Sequence, residues 1–145
     1  GSKDVGLRIL QKAAVVHPGQ RHIKRTLTEL GGKNGIIVDS DADLDEAVAG
    51  VLYSAFGFQG QKCSAASRVI VLEEIYERFT NRLVEAARSI EVGSSEDPHM
   101  FMGPVIDKDA YDRIKEYIEI GKGEATLAFQ GNVPNSGPNA KGYFI

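Results

Sequence analysis

Apolar positions along this chain fall in alternating blocks of helical and extended spacing. From Ser2, a residue suited to capping, Lys3 and Asp4 lead into Val5, Leu7, Ile9, Leu10, Ala13 and Ala14. This predicts an amphipathic helix that ends before Pro18-Gly19. Residues 23–30 alternate weakly, with Thr26 and Thr28 favouring a strand that delivers Glu29 to its end, where Gly31-Gly32 breaks the chain. Ile36-Ile37-Val38 predicts a short buried strand. Leu44, Ala47, Val48, Val51, Leu52, Ala55 and Phe56 recur at three and four, the apolar face of a helix that runs into Gly57. Arg68 to Leu72 predicts a strand. Ile75, Tyr76, Phe79, Leu83, Ala86, Ala87 and Ile90 then mark a helix stopped by Gly93, with a polar connection from Ser94 to Pro98. Asp107 is placed to cap a further helix bearing Ala110, Tyr111, Ile114, Tyr117 and Ile118, closing near Gly121. Strands are predicted at Ala125–Phe129 and at Tyr143, separated by a loop rich in Asn, Gly and Pro. Helices alternating with short apolar strands argue for an α/β fold, a mostly parallel sheet flanked by helices.

Composition narrows this picture without redirecting it. With 145 residues, 42% hydrophobic and 26% charged, the chain is long enough for one domain with a core. A net charge of -3 gives no electrostatic case for nucleic acid, and the longest apolar runs are far too short to span a bilayer. A single cysteine forms no internal disulfide, which suits a reducing compartment such as the cytoplasm or a mitochondrial matrix. Asp39-Ser40-Asp41-Ala42-Asp43 invites a calcium reading, but such a loop needs glycine at its sixth position and glutamate at its twelfth. Leu44 and Gly50 stand there, so no metal site is expected, and the carboxylates belong to a helix N-terminus.

The strongest chemistry centres on Cys63, in Phe58-Gln59-Gly60-Gln61-Lys62-Cys63-Ser64-Ala65-Ala66-Ser67-Arg68. A lone cysteine is ordinarily a small buried hydrophobe. Here glycine at 57 and 60 and alanine at 65 and 66 leave the thiol uncrowded, while Lys62 adds positive charge that favours a thiolate. Glu29 lies 34 residues earlier, against Gly31-Gly32, where a backbone can approach another group closely. The two supply a nucleophile for carbonyl carbon and a base that activates water to release the acyl group. Gly1-Ser2-x-x-x-Gly6 at a helix start suits an anion, although a plain cap explains it and it is not the Gly-x-Gly-x-x-Gly fingerprint. Other readings fail: Lys62-Cys63-Ser64 lacks the P-loop ending, and His17, His22 and His99 sit in no hydrolase motif. Tyr111 and Tyr117 are spaced like the edge of a core rather than a base-stacking platform.

Glu29-Leu30-Gly31-Gly32-Lys33 followed at this spacing by Gly60-Gln61-Lys62-Cys63 resembles the NAD(P)-dependent aldehyde dehydrogenases. The likeness runs through the whole chain, including Gly1-Ser2-Lys3-Asp4-Val5-Gly6 and Met102-Gly103-Pro104. His17-Pro18-Gly19-Gln20-Arg21-His22-Ile23-Lys24-Arg25 and Gly60-Gln61-Lys62-Cys63-Ser64-Ala65 are most similar to the 1-pyrroline-5-carboxylate (glutamate-semialdehyde) dehydrogenases within it. Ala66 departs from that subgroup, which often has a second cysteine there. The resemblance implies that Cys63 attacks the aldehyde and that its N–H helps hold the oxyanion. Glu29 would be the general base for thioester hydrolysis, Ser2 would approach the pyrophosphate of NAD or NADP, and Leu30 and Gly31 would lie near the nicotinamide. Ser64 would bind the substrate's carboxylate. It further implies that residues 1–33 are the tail of an NAD-binding domain and residues 34–145 the leading part of the cysteine-bearing catalytic domain. On this reading the chain is a central fragment, inactive by itself, of a homo-oligomeric enzyme acting on a small-molecule aldehyde. A separate enzyme and one fused to proline dehydrogenase both remain open. A broader aldehyde dehydrogenase is the alternative within the family, and a non-catalytic structural fragment the alternative outside enzymology.

Overall fold

In a computed structural model that describes residues 1–145, the side chain of Pro138 excepted, the described residues form four α-helices and one two-stranded parallel sheet. Helix α1 spans Lys3–Ala13, and the Ser2 hydroxyl accepts the Val5 N–H at its start. Strand β1 (Asn34–Val38), helix α2 (Leu44–Phe56) and strand β2 (Ala66–Val71) make a βαβ unit. Asp43 caps α2 by accepting the N–H groups of Asp45 at 2.9 Å and Glu46 at 3.3 Å. The acidic run therefore caps a helix, as the sequence suggests. Helix α3 (Glu73–Arg88) follows β2 directly, and α4 (Lys108–Glu124) is capped by Asp107, which accepts the Ala110 N–H at 2.8 Å.

Val38 from the sheet, Leu44, Val48 and Val51 from α2, and Ile75 and Phe79 from α3 form the buried core. Alternation along the strands decides which face it covers. Ile36 and Val38 on β1, with Val69 and Val71 on β2, point toward the two helices. Ile37 and Ile70 are paired in register on the opposite face, and Ile37 is 72% exposed. The Ile36-Ile37-Val38 strand is thus half-buried rather than buried, because helices cover only one side of this sheet.

Three predicted strands are absent as ladders. Residues 23–30 form no helix or ladder, and Ile23 and Leu27 are 91% and 97% exposed. Ala125–Phe129 and the segment at Tyr143 are likewise unpaired, although the Tyr143 carbonyl accepts the Val105 N–H at 2.9 Å and Phe144 is buried. A strand exists only where a neighbour takes its hydrogen bonds, and periodicity cannot supply one. Glycine misled in the other direction. Helix α4 continues through Gly121 and Gly123 to Glu124, since glycine weakens a helix by about 1 kcal/mol without ending it. Helix α3 ends at Arg88, before Gly93 is reached. Among the described residues no helix is long and apolar enough to cross a membrane.

Candidate active site

The segment between α2 and β2 holds the cysteine in an unusual loop. Gly57–Gly60 makes a tight 3-10 turn in which Phe58 and Gln59 both take φ of 55°. Left-handed backbone at two consecutive residues that are not glycine stores strain, and it persists only where surrounding contacts hold it. Side-chain contacts of Gln59, Gln61 and Lys62 hold it here. The Gln61 amide oxygen accepts the Ile106 N–H at 3.3 Å. The Gln59 amide fits with its oxygen accepting from the Gly103 N–H at 2.7 Å and its nitrogen donating to the Phe58 carbonyl. Lys62 lies with its ammonium 5.1 Å from the Tyr53 ring centroid, tying that charge to α2. Cys63 follows, exposed and free. Ala65 and Ala66 are buried beneath it, so their small size serves packing below the loop rather than open space around the thiol.

Gly60 is small for a separate reason. Its φ is +64°, and a Cβ there would come 2.8 Å from the Ala55 carbonyl oxygen. Gly60→Ala is expected to destabilise the protein by about 1–3 kcal/mol, read as a lower denaturant midpoint at unchanged slope. A midpoint equal to wild type would show that the turn relaxes freely.

The segment that begins at Glu29 meets this loop at Gly32. Its backbone carbonyl accepts from the Gly1 amino group at 2.8 Å, which sets the start of α1 beside it. One residue on, Leu30 packs its side chain over Gly6 of α1, where a Cβ would come 2.9 Å from Leu30 Cδ2. Gly32 then passes so near the cysteine that a Cβ on it would lie 3.0 Å from the Cys63 carbonyl oxygen. Glu29 and Gly32 are three residues apart, at most about 11 Å of chain. The two motifs therefore meet at one junction. Asn34, which sequence reasoning passed over, completes it: its Nδ2 donates to the Cys63 carbonyl at 2.7 Å and to the Ala65 carbonyl at 3.1 Å. Its place just after the two glycines was the only signal available.

Residues 1–145 match the aldehyde dehydrogenase family throughout. The chain belongs to that family. It is 52% identical over its whole length to a 1-pyrroline-5-carboxylate dehydrogenase of Geobacillus sp. (strain WCH70), and spans 27% of that protein. Among solved structures it is similar to 1-pyrroline-5-carboxylate dehydrogenase from Thermus with bound NAD, at 43% identity and a TM-score of 0.85, covering all of this chain and 27% of that one. It is also similar to proline utilization A from Bdellovibrio bacteriovorus inactivated by N-propargylglycine, at 63% identity and a TM-score of 0.86, covering 92% of this chain and 14% of that one. The α/β fold expected for an aldehyde dehydrogenase piece is thereby established, and the chain spans about a quarter of the length of its curated relatives.

Against the site expected of an aldehyde dehydrogenase, the structure brings some residues together and leaves others apart. Cys63 and Ser64 are adjacent and exposed, and among the described residues neither side chain has a hydrogen-bond partner. The Glu29 carboxylate is exposed and makes no hydrogen bond to either. Leu30 turns its side chain onto α1, leaving its backbone and Gly31 at the open side, where a Cβ on Gly31 would meet nothing within 4 Å. Ser2 is an N-cap, with its hydroxyl engaged at Val5. Two exposed pairs on α4 displace the titration of their members. The hydrogen bond and charge of Asp112 hold Lys108 above its ordinary value, and those of Lys122 hold Glu119 below its own.

Proposed function

We propose that these residues carry the nucleophile and the hydrolytic base of an NAD-dependent dehydrogenase that oxidises glutamate 5-semialdehyde, the open form of 1-pyrroline-5-carboxylate, to glutamate. The observation that carries the reading is the junction at the Cys63 carbonyl, where Gly32 of the glutamate segment abuts the cysteine loop. The Cys63 thiolate adds to the aldehyde carbon to form a thiohemiacetal. Its own N–H, which has no acceptor among the described residues, is available to the new oxyanion. NAD, when bound, supplies the hydride acceptor. Glu29 then takes a proton from water as that water attacks the thioester, releasing the acid and the thiol. Ser64, next to the nucleophile, donates to the substrate's distal carboxylate.

The residues present suit NAD, or NADP, at two places. The first-turn N–H groups of α1, at Lys3 and Asp4, lack intrahelical partners and favour a pyrophosphate beside Ser2. The open side at Leu30 and Gly31 suits the flat nicotinamide. Because the sheet begins only at Asn34, we assign residues 1–33 to the cofactor domain and 34–145 to the catalytic domain. A homo-oligomer of the cytoplasm or mitochondrial matrix completes the reading.

The test follows NAD reduction by the complete enzyme that carries this chain. A carboxylate held by charge-assisted hydrogen bonding should favour 1-pyrroline-5-carboxylate over a simple aliphatic aldehyde by about 10–100-fold in kcat/KM. Equal or reversed preference would keep the dehydrogenase and remove the semialdehyde. The 145 residues by themselves should give no NADH above background, because most of the cofactor contacts implied by the resemblance have no counterpart in them.

A further inference from the structure

We infer that Asn34 is a positioning residue for the nucleophile: its side-chain amide clamps the backbone of the cysteine loop to the end of the sheet and so aims Cys63 at the substrate. This rests on the dehydrogenase reading above and extends it to a residue outside both motifs.

The clamp begins with an irregularity in the sheet. Asn34 pairs with Ala66 but Gly35 pairs with Arg68, so one extra residue is accommodated on β2. An irregularity of this kind re-aims a side chain, and here Asn34 is directed back over the loop that precedes β2. Its Nδ2 has two hydrogens and spends one on each of two carbonyls, those of Cys63 at 2.7 Å and Ala65 at 3.1 Å. No peptide bond is cis, so each carbonyl is antiparallel to the next N–H and fixing one fixes the other. On the far side of the Ala65–Ala66 peptide, the Ala66 N–H donates to the Ser54 hydroxyl of α2 at 3.1 Å. That peptide is therefore held from β1 and from α2 at once. The Cys63–Ser64 peptide is held at its carbonyl, which removes rotation about the bond joining the Cys63 Cα to its carbonyl carbon. The thiol and the Ser64 side chain then hang from a fixed frame.

The same carbonyl meets Gly32, whose Cβ would lie 3.0 Å from it and 3.4 Å from Asn34 Nδ2. The base-bearing segment is registered against the nucleophile at this point. A plain structural role competes with this account, since an asparagine at a strand start often satisfies loose carbonyls. The bond to Cys63 is exposed, however, and water would satisfy that carbonyl about as well. What water cannot give is a fixed direction.

The experiment compares Asn34→Ala and Asn34→Ser with wild type in the complete enzyme. Serine keeps one donor hydrogen and alanine none. For Asn34→Ala we expect kcat to fall about tenfold or more, with KM for NAD within about twofold and the melting temperature unchanged, and for Asn34→Ser an intermediate kcat. Amide exchange at Ala65 and Ala66 should quicken about tenfold in the alanine variant and less in the serine variant, while α3 stays protected. A kcat for Asn34→Ala within twofold of wild type, or equal losses in both variants that track a falling melting temperature, overturns the inference. The exchange measurement needs no turnover. A wild type that reduces no NAD with any aldehyde therefore defeats the functional reading, while unchanged exchange defeats the clamp.

Discussion

Cys63→Ala in the complete enzyme is expected to remove aldehyde oxidation by about 10⁵-fold or more, roughly 7 kcal/mol of transition-state stabilisation. The loss is this large because the proposed intermediate is a thioester on this sulfur, and the 145 residues hold no second cysteine beside it. Binding of substrate and cofactor should be little affected. The side chain is exposed, and among the described residues it makes no hydrogen bond whose loss would disturb the loop. Alkylation supplies the companion measurement. Iodoacetamide should modify Cys63 in the wild type, with loss of activity in step, and saturating aldehyde should slow that modification. Residual activity within a hundredfold of wild type would show that the thiol is not the nucleophile and would leave Cys63 as an exposed residue without a chemical role.

For Glu29→Gln the expected loss in steady-state turnover is smaller, about 10²–10⁴-fold, but its form is more telling. Glutamine keeps the shape and removes the base, so oxidation should proceed once and then stall. A burst of NADH close to one per active site should precede the slow phase, and mass spectrometry should find the acyl group on Cys63. The structure gives this carboxylate freedom to act late, because it is exposed and bonded to neither Cys63 nor Ser64. Its backbone is nevertheless tethered: Leu30 is seated on Gly6 of α1, and Gly32 lies against the Cys63 carbonyl. Slow turnover with no burst and no trapped acyl group would mean that Glu29 acts before the thioester forms, a role in activating the thiol rather than the water.

The strained turn before the cysteine bears on both expectations. Phe58 and Gln59 keep their left-handed backbone because Gln59 and Gln61 are bonded across to Gly103 and Ile106. The loop is thus braced from three sides: α2 beneath, residues 103–106 on one flank, and β1 with Gly32 on the other. An exposed side chain such as Cys63 gains little stability from its own contacts, so its orientation depends on the frame around it.

Much of this was legible along the chain itself. The four helices were readable because their signals are local: Ser2, Asp43 and Asp107 each cap their own helix, and spacings of three and four bring apolar side chains to one face wherever the helix sits. The Glu29 and Cys63 segments were readable as marks of the family because each is a short contiguous run of residues. The failures share one cause. Residues 23–30, 125–129 and Tyr143 have extended character but no partner strand here, and Ile37 faces outward because no layer covers that side of the sheet. Asn34 escaped notice because its importance comes from a register irregularity between β1 and β2 that brings it to Cys63, 29 residues away. The sequence by itself determined which groups are present and which segments curl. Only the tertiary structure decided which strands pair, which faces are buried and which amide bonds the Cys63 carbonyl, because each of those depends on atoms distant in the chain that local spacing does not encode.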